Sequence, residues 1–230
     1  MRAKLLVTVI SDPLCPWCYI GTRRLLRALA SLADEFDFDP TSDLDFKPYR
    51  LFPSTLTERS KLEFYVQRYG AGVARMRDTL AAEAPDIAFN FSPEAMLGPS
   101  LEAHRLVALT PRPLRLQLML RLFKAYHEDG QSLARPSTLE TCARGIVDVA
   151  RLSTDDGKEE LRAELQRSKE NIEASPFAGG GVPFFVFTVV DVETEKDASM
   201  CFAGAQSELY ITQVLKRARI RASAVDAALL

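Results

Sequence analysis

The segment Ser11–Leu29, SDPLCPWCYIGTRRLLRAL, places two of the chain's four cysteines three residues apart around a Pro-Trp pair. Before it, Lys4–Ile10 is short, apolar and β-branched, which predicts a strand buried on both faces. After it, Tyr19, Leu25, Leu26, Leu29 and Leu32 recur at near-helical spacing among Arg23, Arg24 and Arg27. This predicts a helix over 16–33, with Pro16 at the first position, where a missing N–H is tolerated. Cys15 then sits at the helix start and Cys18 one turn inside. Unpaired N–H groups and the helix dipole favour a thiolate at Cys15. Cys18 is close enough to attack a mixed disulfide formed there. Asp12 is a nearby carboxylate that either opposes the thiolate or accepts a proton from Cys18.

Three readings of this pair compete. A structural zinc takes four ligands, commonly as two close pairs, but Cys142, Cys201, His104 and His127 are each isolated, so no metal is expected. An inert pair of small core residues is the second reading. Redox chemistry is the third, and the strand before and helix after favour it. Bulk properties agree with an ordinary globular chain. It has 230 residues, 47% of them hydrophobic, and a net charge of −2, with no basic excess to suggest nucleic acid as a partner. No apolar run approaches the roughly 18 residues of a membrane span, so no membrane partner is expected. The apolar run LLVTVI after MRAK is shorter than the roughly 7–15 residues of a signal-peptide core, which points to an intracellular protein.

Farther along, DEFDFDPTSD reads as a polar loop and Leu44–Phe52 as a second strand whose Pro48 suggests an edge or a bulge. A long helical tract follows. Leu62, Tyr65, Val66, Tyr69, Val73 and Met76 take core-like spacings in it, and Gly70 and Gly72 weaken or bend its first helix. Ser100 and Ser137 are candidate N-caps. His127 falls at a helix end, where a cation is favourable. His104 is read first as a hydrogen-bonded structural histidine, and Arg23 and Arg24 as a solvated face. Cys142 and Cys201 are read as buried small residues. After AGGG, which lacks the Gly-Lys-Ser/Thr of a phosphate loop, Val182–Val190 and Ser199–Ala203 suit a hairpin, and a last helix starts near Ser207. Pro183 opens the first of these strands. Trp17 suits an apolar rim for substrate.

CPWCYIG at 15–21, AHRL at 103–106, GVPFF at 181–185 and GAQ at 204–206 together resemble the DsbA-like thioredoxin superfamily, and within it the FrnE-like group. The resemblance implies an α/β thioredoxin fold, a mixed sheet with flanking helices, interrupted by a large all-helical insertion. Residues 1–54 and 177–230 would form the thioredoxin-like domain and 55–176 the insertion. It implies that Cys15 and Cys18 are a redox pair and that Pro183 is cis beside them. Pro16, Trp17, Val182, Pro183 and Phe184 would bind substrate, and His104 would lie near the domain interface. The activity implied is cytosolic thiol–disulfide exchange with protein or small-molecule disulfides. It needs no cofactor beyond the redox-active disulfide, with glutathione as a candidate co-substrate. The superfamily also holds 2-hydroxychromene-2-carboxylate isomerases and kappa-class glutathione transferases, which carry Ser at the first active-site position. Cys15 departs from that pattern, so a glutathione-dependent transferase or isomerase is the alternative, with a redox-inactive binding or chaperone module as a third. Reduction potential and oligomeric state, monomer or dimer, stay open at this level.

Overall fold

The computed structural model describes residues 2–52, 56–191 and 196–223. Strand β1 (Ala3–Ser11) lies in the middle of a mixed sheet. Along one edge it pairs in parallel with β2 (Phe36–Asp37) at its start and with β3 (Leu44–Pro48) at its end, from Val7 opposite Leu44 to Ser11 opposite Pro48. Along the other it pairs antiparallel with β6 (Phe184–Val190), from Lys4 opposite Val190 to Ile10 opposite Phe184. Strand β7 (Asp197–Ala203) completes the hairpin with β6, and residues 192–195 between the two strands lie outside the described set. Leu5, Val7, Val9 and Ile10 are buried, as a central strand requires, but Leu6 is 40% exposed, so β1 is not covered on both faces along its whole length. Pro48 ends an outer strand, where its missing N–H breaks no ladder bond. The polar segment after the first helix is not wholly loop, because Phe36 is buried and pairs with Ala3.

Helix α1 (Pro16–Ser31) packs beside α8 (Glu208–Ser223). Between β3 and β6 the chain is helical: α2 (Lys61–Tyr69), α3 (Gly72–Glu83), α4 (Leu101–Leu109), α5 (Arg112–His127), α6 (Pro136–Ala143) and α7 (Lys158–Glu173). It also carries a small antiparallel ladder of β4 (Arg59–Ser60) and β5 (Met96–Leu97). The first expected helix is two helices, because Gly70 takes φ +55° and ends α2. That break leaves Val66 and Tyr69, expected in the core, 48% and 47% exposed. Ser137 is not a cap: α6 starts one residue earlier at Pro136, which suits a first helical position. Ser100 does occupy the N-cap position of α4, but its hydroxyl donates to Asp12 instead of closing the helix. One hydrophobic core joins β1, α1, α4, α5 and α8.

Arg105, from the AHRL segment, is among the largest fully buried side chains. Its guanidinium donates to the carbonyls of Leu152 (2.9 Å), Arg151 (3.2 Å), Asp156 (2.9 Å) and Thr154, and it pairs with Glu102 at 3.3 Å. Together these bonds tie one side chain to the 3-10 turn at Val149–Ser153 and to the segment that leads from it into α7. Arg105→Met strands those carbonyls and should destabilise the protein by about 3–5 kcal/mol in urea unfolding. Arg105→Lys keeps the charge but not the planar fork, and should recover only part of the loss.

Candidate active site

Cys15 is the N-cap residue of α1, with extended backbone (φ −86°, ψ 116°) and a side chain that makes no capping bond. Its carbonyl starts the helix by accepting from Cys18 N at 3.1 Å, and its own N–H closes a turn onto Asp12 O at 3.0 Å. The sulfur therefore stands at the positive end of a 16-residue helix without being used to cap it. Cys15 Sγ lies 3.6 Å from Val182 O, across 167 residues of chain. The Val182–Pro183 peptide is cis, and Pro183 O accepts from Gly204 N at 2.8 Å. Gly21 lets α1 come this close: a Cβ there would stand 3.1 Å from both Pro183 Cγ and Phe185 Cζ. The CPWCYIG, GVPFF and GAQ segments thus meet at one place.

Cys15 and Cys18 are free thiols, and both are buried. Burial pushes the Cys18 thiol well up, and its hydrogen bond to Cys15 and the charge there push the same way. The Ser11 hydroxyl and the Asp12 backbone oppose this. Cys18 therefore holds its proton in the dithiol state. The Asp12 carboxylate, which is fully buried, accepts from Leu14 N at 3.0 Å, Leu51 N at 2.7 Å and the Ser100 hydroxyl at 3.3 Å. It organises the turn that carries Cys15. His104 is 3% exposed, with Nε2 at 3.6 Å from Asp12 Oδ1 and no hydrogen-bond partner.

Several residues differ from their sequence reading. His127 is not a cation at a helix end. It is buried against Tyr19 and Tyr126, Nε2 meets Pro13 O at 3.0 Å, and burial drives its imidazole well towards the neutral form. Desolvation outweighs the dipole here. It braces the Asp12–Cys15 turn, and only the aromatic run around it hinted at a buried face. Phe184 is 1% exposed and packs with Ile10 and Ile172, so its ring faces the core and not a substrate groove. Pro16 and Pro183 are buried, while Trp17 and Val182 are half-buried. Arg24 is not simply solvated: it donates to Ala205 O at 2.8 Å and to Glu83 O at 2.9 Å, tying α1 to α3 and to the lead into α8. Cys142 is buried and Cys201 half-buried. Among the described residues no group of three or more His, Cys, Asp or Glu is placed to hold a metal ion, and no helix is long and apolar enough to cross a membrane.

Lys61 carried no signal in the sequence. It is 1% exposed, donates to Tyr126 O at 3.3 Å and lies 4.4 Å and 4.8 Å from the ring centres of Tyr126 and Phe91. Burial pulls its amine down to about 7.

A dithiol at a helix start, facing a Val-Pro peptide that leads into the neighbouring antiparallel strand, defines a thioredoxin-like protein with a helical insertion. The chain belongs to the DSBA-like thioredoxin domain family, whose model matches residues 6–208. Its fold is similar to that of the probable DsbA oxidoreductase of Streptomyces coelicolor, with a TM-score of 0.76 at 23% identity over 98% of this chain and 93% of that one. It is also similar to that of the cytosolic disulfide reductase DsbM of Pseudomonas aeruginosa, with a TM-score of 0.55 at 18% identity over 94% and 99% of the two chains. The same reductase solved with GSH gives a TM-score of 0.51 at 19% identity over 93% and 99%. No curated protein matches the chain by sequence.

Lys61 makes stability depend on pH in a definite direction. The folded amine is protonated only below about pH 7, whereas an unfolded lysine stays protonated to roughly 10.4. Unfolding takes up a proton between these limits, so the penalty for burying Lys61 is full below the folded value and vanishes above the unfolded one. Lys61→Met should be more stable than the natural protein by a few kcal/mol near pH 6.5, and the gap should close by about pH 10. Urea unfolding of both proteins across that range measures it.

Proposed function

We propose that the protein is a thiol–disulfide oxidoreductase in which Cys15 is the nucleophile and Cys18 the resolving thiol. The observation that carries this reading is Cys15 at the start of α1 with its sulfur beside Val182 O, and Cys18 fully buried one turn inside the same helix. In the reducing direction the Cys15 thiolate attacks one sulfur of a substrate disulfide, and the other sulfur leaves as a thiolate that water protonates. Cys18 then loses its proton and attacks the Cys15 sulfur of the mixed disulfide. The second substrate thiol leaves, and the Cys15–Cys18 disulfide carries the two electrons' worth of oxidation. The oxidising direction is the reverse. Substrates are protein, peptide or small-molecule disulfides, with glutathione as co-substrate. Half-buried Trp17 and exposed Val66 and Tyr69 supply apolar surface for them, and the Val182 backbone and Pro183 orient the reacting segment. We place this activity in the cytoplasm. The resemblance in the sequence supports that location.

Cys15→Ser should reduce turnover of a model disulfide to background, and Cys18→Ser should accumulate a mixed disulfide with glutathione, visible as added mass. Titration against a glutathione buffer gives the potential of the pair. Unchanged turnover in Cys15→Ser would sink the assignment, and tight glutathione binding with activity that survives the substitution would move it to a glutathione transferase or isomerase.

A further inference from the structure

The dithiol reading leaves one proton without a destination. Cys18 is completely buried and must be deprotonated before it can attack, yet the Asp12 carboxylate is already engaged by two backbone N–H groups and a hydroxyl. A cavity of about 190 Å³ separates the end of β1 and β3 from α4, α5 and α7, with Ser11 and His104 in its wall. Two of the buried side-chain atoms that lack a hydrogen-bond partner belong to residues lining it, Ser11 Oγ and His104 Nε2. Ser11 is 1% exposed and His104 3%. The Ser11 hydroxyl makes no hydrogen bond in the resting dithiol, and it is near enough to Cys18 to favour the thiolate once that forms. A cavity of this size with polar groups in its wall holds several waters.

We propose that His104 takes up the proton Cys18 releases, with the Ser11 hydroxyl and water in the cavity carrying it between them. The inference rests on the dithiol reading above. In the step, the Cys18 S–H bond breaks and its proton passes to the imidazole. The freed sulfur pair attacks the Cys15 sulfur and the substrate thiolate departs. The imidazolium then returns its proton to the cavity. Asp12 Oδ1, 3.6 Å from Nε2, stabilises the imidazolium while it exists. The other charges facing the ring nearly cancel. Lys47 on β3 contacts Asp45 and Glu164 at 3.1 Å each, Arg115 on α5 contacts Asp45 at 2.8 Å, and Arg167 on α7 pairs with Glu164. Glu160 on α7 also lines the cavity and is exposed, so the far end reaches solvent. His104 touches neither sulfur in the structure, and its part is that of a proton acceptor acting through Ser11.

The test is a single-turnover reaction of the reduced protein with oxidised glutathione, quenched and read by mass, so that formation and resolution of the mixed disulfide appear in one trace. His104→Gln should slow resolution about 10²-fold at pH 7. Its rate should keep rising with pH through the range where the natural protein has levelled off. Ser11→Ala, which removes only a hydroxyl, should change the profile in the same way, and added imidazole should restore His104→Ala in proportion to its concentration. Slower resolution with an unaltered pH profile and no rescue would mean a packing role and would overturn the inference, as would unaltered resolution in both His104→Gln and Ser11→Ala. If Cys18→Ser forms no mixed disulfide with oxidised glutathione, the dithiol reading itself fails and this inference falls with it.

Discussion

The pairing of β1 with β6 sets everything else. Ile10 stands opposite Phe184, so the turn leaving the top of β1 and the Val-Pro peptide entering β6 arrive at the same end of the sheet. A slip of one residue would turn every side chain of β6 to the other face and carry Val182 away from Cys15. The register is held by the alternation of β6 itself. Phe185 and Phe187 stack on one face against Phe202, and Phe184 fills the other with Ile10 and Ile172. Gly21 completes the arrangement by letting α1 rest on Pro183 and Phe185. The contact at Cys15 is therefore a product of sheet register and helix approach, and no local property of the CPWC segment could supply it.

Around that contact the protein buries several ionisable groups and treats each differently. The Arg105 guanidinium, with five donors and no acceptor, is surrounded by carbonyls. Lys61 has one carbonyl and two ring faces, too little to hold a full charge, and becomes a weak base. His127 gives up its charge and keeps one contact to Pro13 O. Asp12 keeps two N–H donors and a hydroxyl. Three of the four hold the approach to Cys15: Asp12 and His127 fix its turn, and Lys61 lies on the carbonyl of Tyr126, the residue before His127. A sulfur held beside the Val182 carbonyl needs a rigid turn beneath it, and polar groups with few alternatives provide one.

Much of this was legible in the residues. The strand, the Pro16 helix start, the edge position of Pro48, the β6–β7 hairpin and the helical insertion all follow from periodicity and from proline and glycine chemistry. The misreadings share a cause. Val66 and Tyr69 fit a helical core pattern, but Gly70 ended their helix and turned that face outward. His127 obeys the dipole rule in sequence, but four aromatic neighbours, Tyr19, Phe89, Phe123 and Tyr126, remove its water. The resemblance implies Phe184 as a substrate contact, although the two-residue period of a strand points it to the opposite face from Phe185.

By itself the sequence determined the local chemistry: which residues start a helix, which runs form strands, and which two thiols sit one turn apart. Those are short-range matters, settled by backbone sterics and side-chain spacing within a few residues. Only the tertiary structure decided which groups lose water and which distant segments share a site, as Cys15 does with Val182, Asp12 with Ser100 and Leu51, and Ser11 with His104. Desolvation and long-range contact depend on how the elements pack together, and no window of sequence contains that packing.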